Sequence, residues 1–308
     1  MENPTGARPA SRGLLLAAFA AIYLVWGSTY LAIKYAIATL PPLLMAGGRF
    51  LVAGLIMLVA GRLAADYEKP TLVQWRTSFL VGALLLVGGN GGVVLAERYL
   101  PSSLAALLVA VEPAWIVLLS WLWLRQGRPS WRVLGGVLLG FVGVYLLVGE
   151  QLGAETSAGP TQVWGVGLVL AAALSWAAGS VYGLRAPSPR SAVLASGMQM
   201  LAGGTLLLAL GLATGEGREL HLARVTWASW LSWGYLVVFG SLVAFTAYSW
   251  LLKNAPPARV ATYAYVNPVV AVLLGWAALG ESLTSQMLAG AAIIVASVVL
   301  LTAQQKAD

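Results

Sequence analysis

The sequence contains no cysteine and one histidine, His221, and only 9% of its 308 residues are charged. The absence of thiols excludes disulfide frameworks, thiolate metal sites and cysteine nucleophiles. His221 lies in a hydrophilic connection, so the apolar segments contain no histidine ligand for a metal. No phosphate loop occurs, which argues against a built-in ATPase. We therefore expect no metal, no cofactor and no catalytic residue.

Apolar residues dominate the composition of the chain. Hydrophobic residues account for 59% of the chain, and its mean hydropathy is +0.83. This balance leaves too little polar surface to cover a soluble protein of the same length. About twenty apolar residues in a helix cross roughly 30 Å of hydrocarbon. Such stretches occur ten times, at 13–33, 42–61, 77–97, 101–124, 131–149, 163–183, 192–213, 227–250, 258–279 and 287–302. The sequence predicts an all-α integral membrane protein.

The basic residues predict the orientation of these spans. With a cytoplasmic amino terminus, thirteen of the 18 lysines and arginines fall on the cytoplasmic side, and Arg49 lies within a span. The other four are Lys34, Arg98, Arg218 and Arg224. Cytoplasmic loops are generally enriched in basic residues. We predict a multi-pass protein of the cell inner (plasma) membrane with both termini in the cytoplasm. The net charge of +7 then reflects topology, and we expect no nucleic-acid partner.

The two halves of the chain resemble each other. Residues that match at an offset of 150 include Trp26 with Trp176, Gly47 with Gly197 and Gly54 with Gly204, and those at an offset of 155 include Pro113 with Pro268 and Gly135 with Gly290. Because each half has five predicted helices, the second half enters the membrane from the opposite side. Inverted repeats of this kind build alternating-access carriers with a site near the midplane.

This duplication predicts the domain organisation. A cytoplasmic tail covers 1–12, the first five-helix repeat 13–149, a periplasmic connection 150–162, the second repeat 163–302, and a second cytoplasmic tail 303–308. No connection is long enough to form a soluble domain of its own.

Several short motifs accompany the duplication. They are Trp-Gly-Ser-Thr-Tyr at 26–30, Arg49, Glu112-Pro113, Asn267-Pro268, and Leu279-Gly280-Glu281 followed by Gln286 and Gly290. Together they resemble the drug/metabolite transporter superfamily, specifically its ten-helix EamA-type exporters, over nearly the whole chain. The resemblance implies outward transport and is closest to bacterial exporters of amino acids, including aromatic ones. The first half has Leu124-Arg125-Gln126 where the second has Leu-Gly-Glu, so the resemblance leaves the role of Glu281 open.

Two charged residues lie inside predicted spans, where charge costs about 2.5 to 3.5 kcal/mol. Glu112 is close to the midplane, and its carboxylate could bind a substrate amine or carry a proton. Alternatively, Glu112 is protonated by desolvation or paired with Arg49 and only joins helices. Arg49 is near the outer end of its helix, where snorkelling to the interface is easy, and we interpret it as structural.

The prolines and the glycine cluster suggest irregular helices. Pro113 and Pro268 each remove a backbone donor beside Glu112 and Asn267, which predicts kinks at matched depth that act as hinges or remain static. The run at 88–92 contains four glycines and Asn90. We interpret it as a flexible or unwound part of the third helix, with local packing as the alternative and Asn90 facing a cavity.

Aromatic residues complete the predicted site, since 13 Trp and 11 Tyr are more than the membrane interfaces require. Helical spacing places several on shared faces with polar groups. The predicted substrate-binding residues are Trp26, Tyr30, Asn90, Glu112, Trp115, Trp176, Tyr248, Tyr263 and Asn267. Such a lining suits an amphipathic metabolite with its apolar part against the rings and its zwitterion near Glu112 or Asn267.

The sequence thus predicts a secondary transporter whose partners are a small-molecule substrate, the lipid bilayer and, if Glu112 serves antiport, protons. Amino acids are the expected substrates, and drugs, nucleosides or sugars are the alternatives. A membrane enzyme would need clustered titratable groups, which the chain lacks. A sensor or purely structural protein would need soluble signalling segments or an oligomerisation motif.

Overall fold

The computed structural model describes residues 11–64, 67–124, 131–153, 160–255, 260 and 263–303. Within these ranges all regular structure is helical and no strand occurs, which confirms the all-α prediction. Outside the described residues lie 1–10 of the predicted tail 1–12, 304–308 of the predicted tail 303–308, 154–159 of the predicted periplasmic connection 150–162, and the basic residues Arg125, Arg128 and Arg259.

Apolar helices form the body of the protein. They are α1 (Arg12–Ala36), α2 (Pro42–Leu63), α3 (Leu72–Ala96), α4 (Ser102–Val109 continued by Glu112–Leu124), α5 (Trp131–Gly153), α6 (Pro160–Gly183), α7 (Ala192–Ala213), α8 (227–254), α9 (Tyr263–Leu279) and α10 (Ser285–Ala303). In the described part of the chain, seven apolar helices are long enough to cross a membrane. Shorter apolar segments lie at Leu134–Gly143, Val266–Leu279 and Ser285–Ser297.

Polar side chains define where several helices begin. Thr71 and Gln74 form a capping box at the start of α3, which therefore begins five residues before the predicted span. The side chains of Ser191 and Thr226 accept backbone hydrogen bonds at the starts of α7 and α8. These bonds satisfy amides that have no partner within the helix. The helix bounds thus depend on local caps as well as on hydropathy.

Glycines allow α2 and α7 to pack closely along an extensive contact. A methyl group added to Gly54 would lie 2.6 Å from the Leu201 amide nitrogen, and one added to Gly204 would lie 2.6 Å from the Leu51 amide nitrogen. Side chains larger than hydrogen at these two positions would push the backbones apart. The two contacts are equivalent, because Gly54 and Leu51 match Gly204 and Leu201 at an offset of 150.

Among the described residues, three helices contain π-helical segments, at Ala21–Val25 in α1, Ala83–Gly91 in α3 and Leu236–Val243 in α8. The glycine-rich end of α3 is therefore wound, and the prediction of an unwound stretch there is wrong. Gly88 and Gly92 instead allow α6 to approach, since added methyl groups would collide with Ser175 and Ala172. π-Helical segments are rare and frequently occur at functional sites.

The two motif prolines have different local structures. In α4 the helix is interrupted at Ala110 and Val111, whose amides bond three residues back, and Pro113 follows in the first turn of the next segment. Proline fits a first turn because the amide there lacks a helical partner anyway. In α9 the described helix Tyr263–Leu279 continues through Pro268. That these positions are hinges remains a prediction.

Candidate functional site

A cavity of about 100 Å³ lies among the helices and contains most of the predicted site. A buried water needs about 10 to 15 Å³, so the cavity has room for several. Seven of the nine predicted substrate-binding residues line it, namely Trp26, Tyr30, Asn90, Glu112, Trp176, Tyr263 and Asn267. Helices from both halves of the sequence therefore contribute to one space.

The remaining two residues do not line this cavity. The Trp115 ring packs edge-on against Phe141 of α5, with ring centroids 5.3 Å apart. The Tyr248 ring lies beside the Trp26 ring, 5.1 Å between centroids, and forms part of the wall behind it. Spacing placed Trp115 on the face of Glu112, but its indole is long enough to reach the neighbouring helix instead.

Glu112 is held by a tyrosine. Its side chain is buried, and its Oε1 accepts a hydrogen bond of 3.1 Å from the Tyr263 hydroxyl. No ion pair with Arg49 forms, since the ion pairs among the described residues join Arg98 to Glu219 and Arg190 to Glu68. The predicted alternative of an Arg49–Glu112 pair is therefore wrong for this structure. The carboxyl group is available to a cationic guest.

Trp26 is the centre of an aromatic cluster. Its ring centroid lies 5.2 Å from that of Tyr263, 6.2 Å from Phe245 and 6.3 Å from Trp176, all in edge-to-face geometry. The indole nitrogen donates a 3.2 Å hydrogen bond to the Gly240 carbonyl oxygen in the π-helical segment of α8. Edge-to-face rings at these distances attract one another beyond simple burial. The cluster is thus a fixed apolar wall.

Asn267 joins α9 to the irregular part of α1. With its amide group assigned so that the nitrogen faces these acceptors, Asn267 donates to the Ile22 carbonyl oxygen at 3.2 Å and to that of Tyr23 at 3.1 Å, both in the segment Ala21–Val25. A π-helical turn changes the carbonyl pattern of a helix, and a side-chain amide donor fits the resulting gap. The donor side of Asn267 is therefore used for structure, at a residue that also lines the cavity.

Arg49 is a charged residue of the cavity wall that the sequence analysis did not include in the site. It is 3% exposed, lines the cavity and donates a 2.8 Å hydrogen bond from Nε to the Ser241 hydroxyl oxygen. The expectation that it snorkels to the interface is wrong, because α8 supplies a buried partner. The signal that could have found it is the charge itself, since ionised groups in membrane helices mark functional sites.

Three buried polar atoms of cavity residues have no hydrogen-bond partner within the described residues. They are Arg49 Nη1, Asn90 Oδ1 and Trp176 Nε1. Buried polar groups are normally paired, and each unpaired one costs about 1 to 3 kcal/mol. Three residues of the cavity wall therefore carry buried polar atoms whose hydrogen-bonding capacity is unused.

A second polar cluster lies where α1, α3 and α9 end. The Lys34 ammonium donates to the carbonyl oxygens of Glu97 and Leu100. Burial raises the pKa of the Glu97 carboxyl well above its ordinary value of 4.5, Lys34 lowers it and Glu281 raises it further. Tyr30 lines the cavity and lies one helical turn before Lys34 on α1. Ionisable groups thus continue from the cavity towards this end of the bundle.

Comparison with known proteins agrees with a transport role for such a cavity. The model of the EamA-like transporter family matches residues 11–149 and again 163–303. The uncharacterized inner membrane transporter YedA of Escherichia coli K12 is 39% identical over 290 residues, covering 94% of this chain and 90% of the relative. The uncharacterized transporter YvbV of Bacillus subtilis 168 is 31% identical over 302 residues, covering 97% and 94%.

A more distant relative has a more specific name. The "Probable amino-acid metabolite efflux pump" of Salmonella typhimurium LT2 is 28% identical over 281 residues, covering 89% of this chain and 90% of the relative. Among solved structures, one crystal structure matches with a TM-score of 0.65 at 22% identity, covering 96% of this chain and 99% of the other. At that identity the match shows the fold alone.

Proposed function

This chain belongs to the EamA-like transporter family, and we propose that it is a secondary transporter that exports small amphipathic metabolites, foremost amino acids, across the inner membrane. The observation that carries this proposal is the cavity in which Glu112, Tyr263 and the rings around Trp26 meet. A guest with an ammonium group and an apolar side chain would find a carboxyl group and an aromatic wall there. The name of the Salmonella relative supports the same substrate class.

Alternating access requires two similar halves that rock around the site. The equivalent contacts of Gly54 with Leu201 and Gly204 with Leu51 support a two-fold relation between inverted repeats at 13–149 and 163–302. The same relation pairs α5 with α10, where Gly143 approaches the Gly290 carbonyl oxygen. We propose ten membrane-crossing helices with cytoplasmic termini, of which α4 and α9 bend near Pro113 and Pro268.

If transport is coupled to proton movement, we propose that Glu112 carries the proton. Its carboxyl group is buried in the cavity and bonded to one neutral hydroxyl, so it could exchange a proton for a substrate cation. Facilitated diffusion through the same cavity needs no such exchange. Drugs, nucleosides and sugars remain alternative guests, and the flux panel below includes them.

The test is efflux from proteoliposomes loaded with radiolabelled amino acids, nucleosides, sugars or a cationic drug. We expect amino-acid flux above that of empty vesicles, and loss of at least about tenfold in Glu112→Gln. Glu219→Gln is the matched control, because Glu219 is exposed and pairs only loosely with Arg98, 3.7 Å apart. Absence of flux for every solute would refute the transporter proposal. Flux of a non-amino-acid alone would refute the substrate class, and full flux in Glu112→Gln would remove Glu112 from the mechanism.

A further inference from the structure

Arg49 is a buried cation with unused hydrogen-bonding capacity. A guanidinium carries five N–H donors and cannot lose its charge in a protein. Nε donates to Ser241, whereas Nη1 is buried without a partner in the described part of the chain. No carboxylate of the described residues lies within 4.0 Å, and the face of the Phe50 ring, 4.6 Å away, offers only weak compensation. A buried charge in this state is strongly stabilised by an anion.

The Arg49 guanidinium fits at the cavity wall because the neighbouring residue Gly240 has no side chain. A methyl group added to Gly240 would lie 2.9 Å from Nη2 and 3.2 Å from Thr29 Cγ2. Gly240 belongs to the π-helical segment Leu236–Val243, and its carbonyl oxygen also accepts the Trp26 indole bond. The glycine therefore holds α8 close to both a cationic and an aromatic cavity residue. Thr29, Arg49 and Gly240 all line the cavity.

Resting on the proposed function, we propose that Arg49 binds the carboxylate of the substrate while Glu112 binds its ammonium group. The guest is then an α-amino acid held as a zwitterion, with its side chain against the rings around Trp26. Arg and Glu in one cavity without a mutual ion pair are complementary to a molecule that carries both charges. A guanidinium binds a carboxylate through two parallel N–H bonds, which fixes the orientation of the guest as well as its charge.

A purely structural role for Arg49 predicts something different. If the guanidinium only ties α2 to α8 through Ser241, its replacement would weaken folding and reduce binding of every solute equally. If it binds a carboxylate, its replacement would reduce binding only of solutes that have one. The ratio of two affinities therefore separates the roles, because a general loss of folded protein cancels in that ratio.

The experiment measures equilibrium binding to the purified full chain in detergent for L-phenylalanine, L-tryptophan and L-leucine and for the amide of each. The amides keep the ammonium group and the side chain but lack the carboxylate. We expect the acids to bind about 10- to 100-fold more tightly than their amides. Arg49→Gln should abolish this preference, to within about twofold, whatever its effect on amide binding, and Arg49→Lys should retain part of it. Ser241→Ala should keep the preference.

Several outcomes would overturn the inference. They are equal binding of acids and amides by the unsubstituted protein, a preference that survives in Arg49→Gln, and binding of the amides or nucleosides but of none of the acids. The first comparison needs no variant, so a folding defect in Arg49→Gln does not remove the test. Failure here with measurable flux of another solute would leave the transporter proposal intact, whereas absence of all flux would refute that proposal itself.

Discussion

The carboxylate of Glu281 caps the helix that begins at Ser102. Its Oε1 accepts hydrogen bonds of 2.8 Å from both the amide and the hydroxyl of Ser102, and its Oε2 accepts one of 3.1 Å from the Ser103 amide. The first amides of a helix lack partners within it, and negative charge is favoured at that end. Glu281 lies between α9 and α10, so this cap joins the second half of the chain to the first.

Replacing Glu281 should therefore reduce stability. We expect Glu281→Ala to lower the free energy of unfolding by about 1 kcal/mol, in the range of lost helix caps. Although burial alone would raise it, hydrogen bonds from Ser103 and Ser102 lower the pKa of Glu281 below its ordinary value of 4.5. The contribution is thus present above that value and is lost as the pH falls through the lowered pKa.

Thermal unfolding in detergent between pH 3 and pH 8 measures both effects. Glu219→Ala is the control, because its pair with Arg98 is exposed and should contribute little. Equal unfolding temperatures for the two variants at neutral pH would contradict the capping interpretation.

The helices could be predicted because hydropathy is a property of consecutive residues. Glu281 illustrates what could not: its sequence motif was visible, but its partner Ser102 lies 179 positions away. Only the packed structure brings such groups together. The glycines of α2 and α7 could be predicted in part. The sequence repeat shows that they correspond to each other, but it does not show that the two helices are in contact.

Most residues predicted for the candidate site line the cavity, but their contacts could not be predicted from the sequence. Trp26, Tyr30 and Glu112 line the cavity as the spacing predicted. Trp115 does not, because a long side chain can reach across to a neighbouring helix such as α5. The burial of Arg49 was not predicted, because its depth in the span is visible in the sequence, whereas the Ser241 hydroxyl that accepts its hydrogen bond belongs to a distant helix.

Glu97 should make stability depend on pH in the opposite sense to Glu281. Its side chain is fully buried and both carboxyl oxygens lack partners among the described residues. Because burial raises its pKa well above 4.5, the folded state holds a proton that the unfolded chain releases. Stability contributed by this proton is complete below the ordinary carboxyl pKa and is lost as the pH rises towards the raised value.

The variant Glu97→Gln tests this directly. Glutamine resembles the protonated carboxyl in shape and cannot ionise, so the unfolding temperature should fall less between pH 5 and pH 9 than in the unsubstituted protein. Glu68→Gln is the control, since Glu68 is exposed beside Arg190. A lower unfolding temperature of Glu97→Gln at every pH would instead show that Glu97 acts as a charged partner of Lys34.

Tyr263→Phe should be more harmful than Tyr248→Phe. Both rings belong to the cluster around Trp26, but the Tyr263 hydroxyl donates to Glu112, whereas the Tyr248 hydroxyl makes no hydrogen bond within the described ranges. Loss of the donor leaves a buried carboxyl oxygen unsatisfied, at a cost of about 1 to 3 kcal/mol. Chemical unfolding followed by tryptophan fluorescence measures the difference. Indistinguishable variants would mean that water replaces the Tyr263 hydroxyl at Glu112.

Gly54→Ala and Gly135→Ala should change stability in opposite directions. Alanine favours helix over glycine by about 0.8 to 1 kcal/mol, so Gly135→Ala should be neutral or stabilising where nothing lies within 4 Å of the new methyl group. In Gly54→Ala the methyl group would lie 2.6 Å from the Leu201 amide nitrogen, which is backbone and cannot rotate away. Overpacking of this kind costs about 1 to 3 kcal/mol and outweighs the gain in helix propensity. Thermal unfolding of both variants decides the matter. If Gly54→Ala were as stable as Gly135→Ala, α2 and α7 would not pack through their glycines, and the two-fold relation between the halves would lose its main structural support.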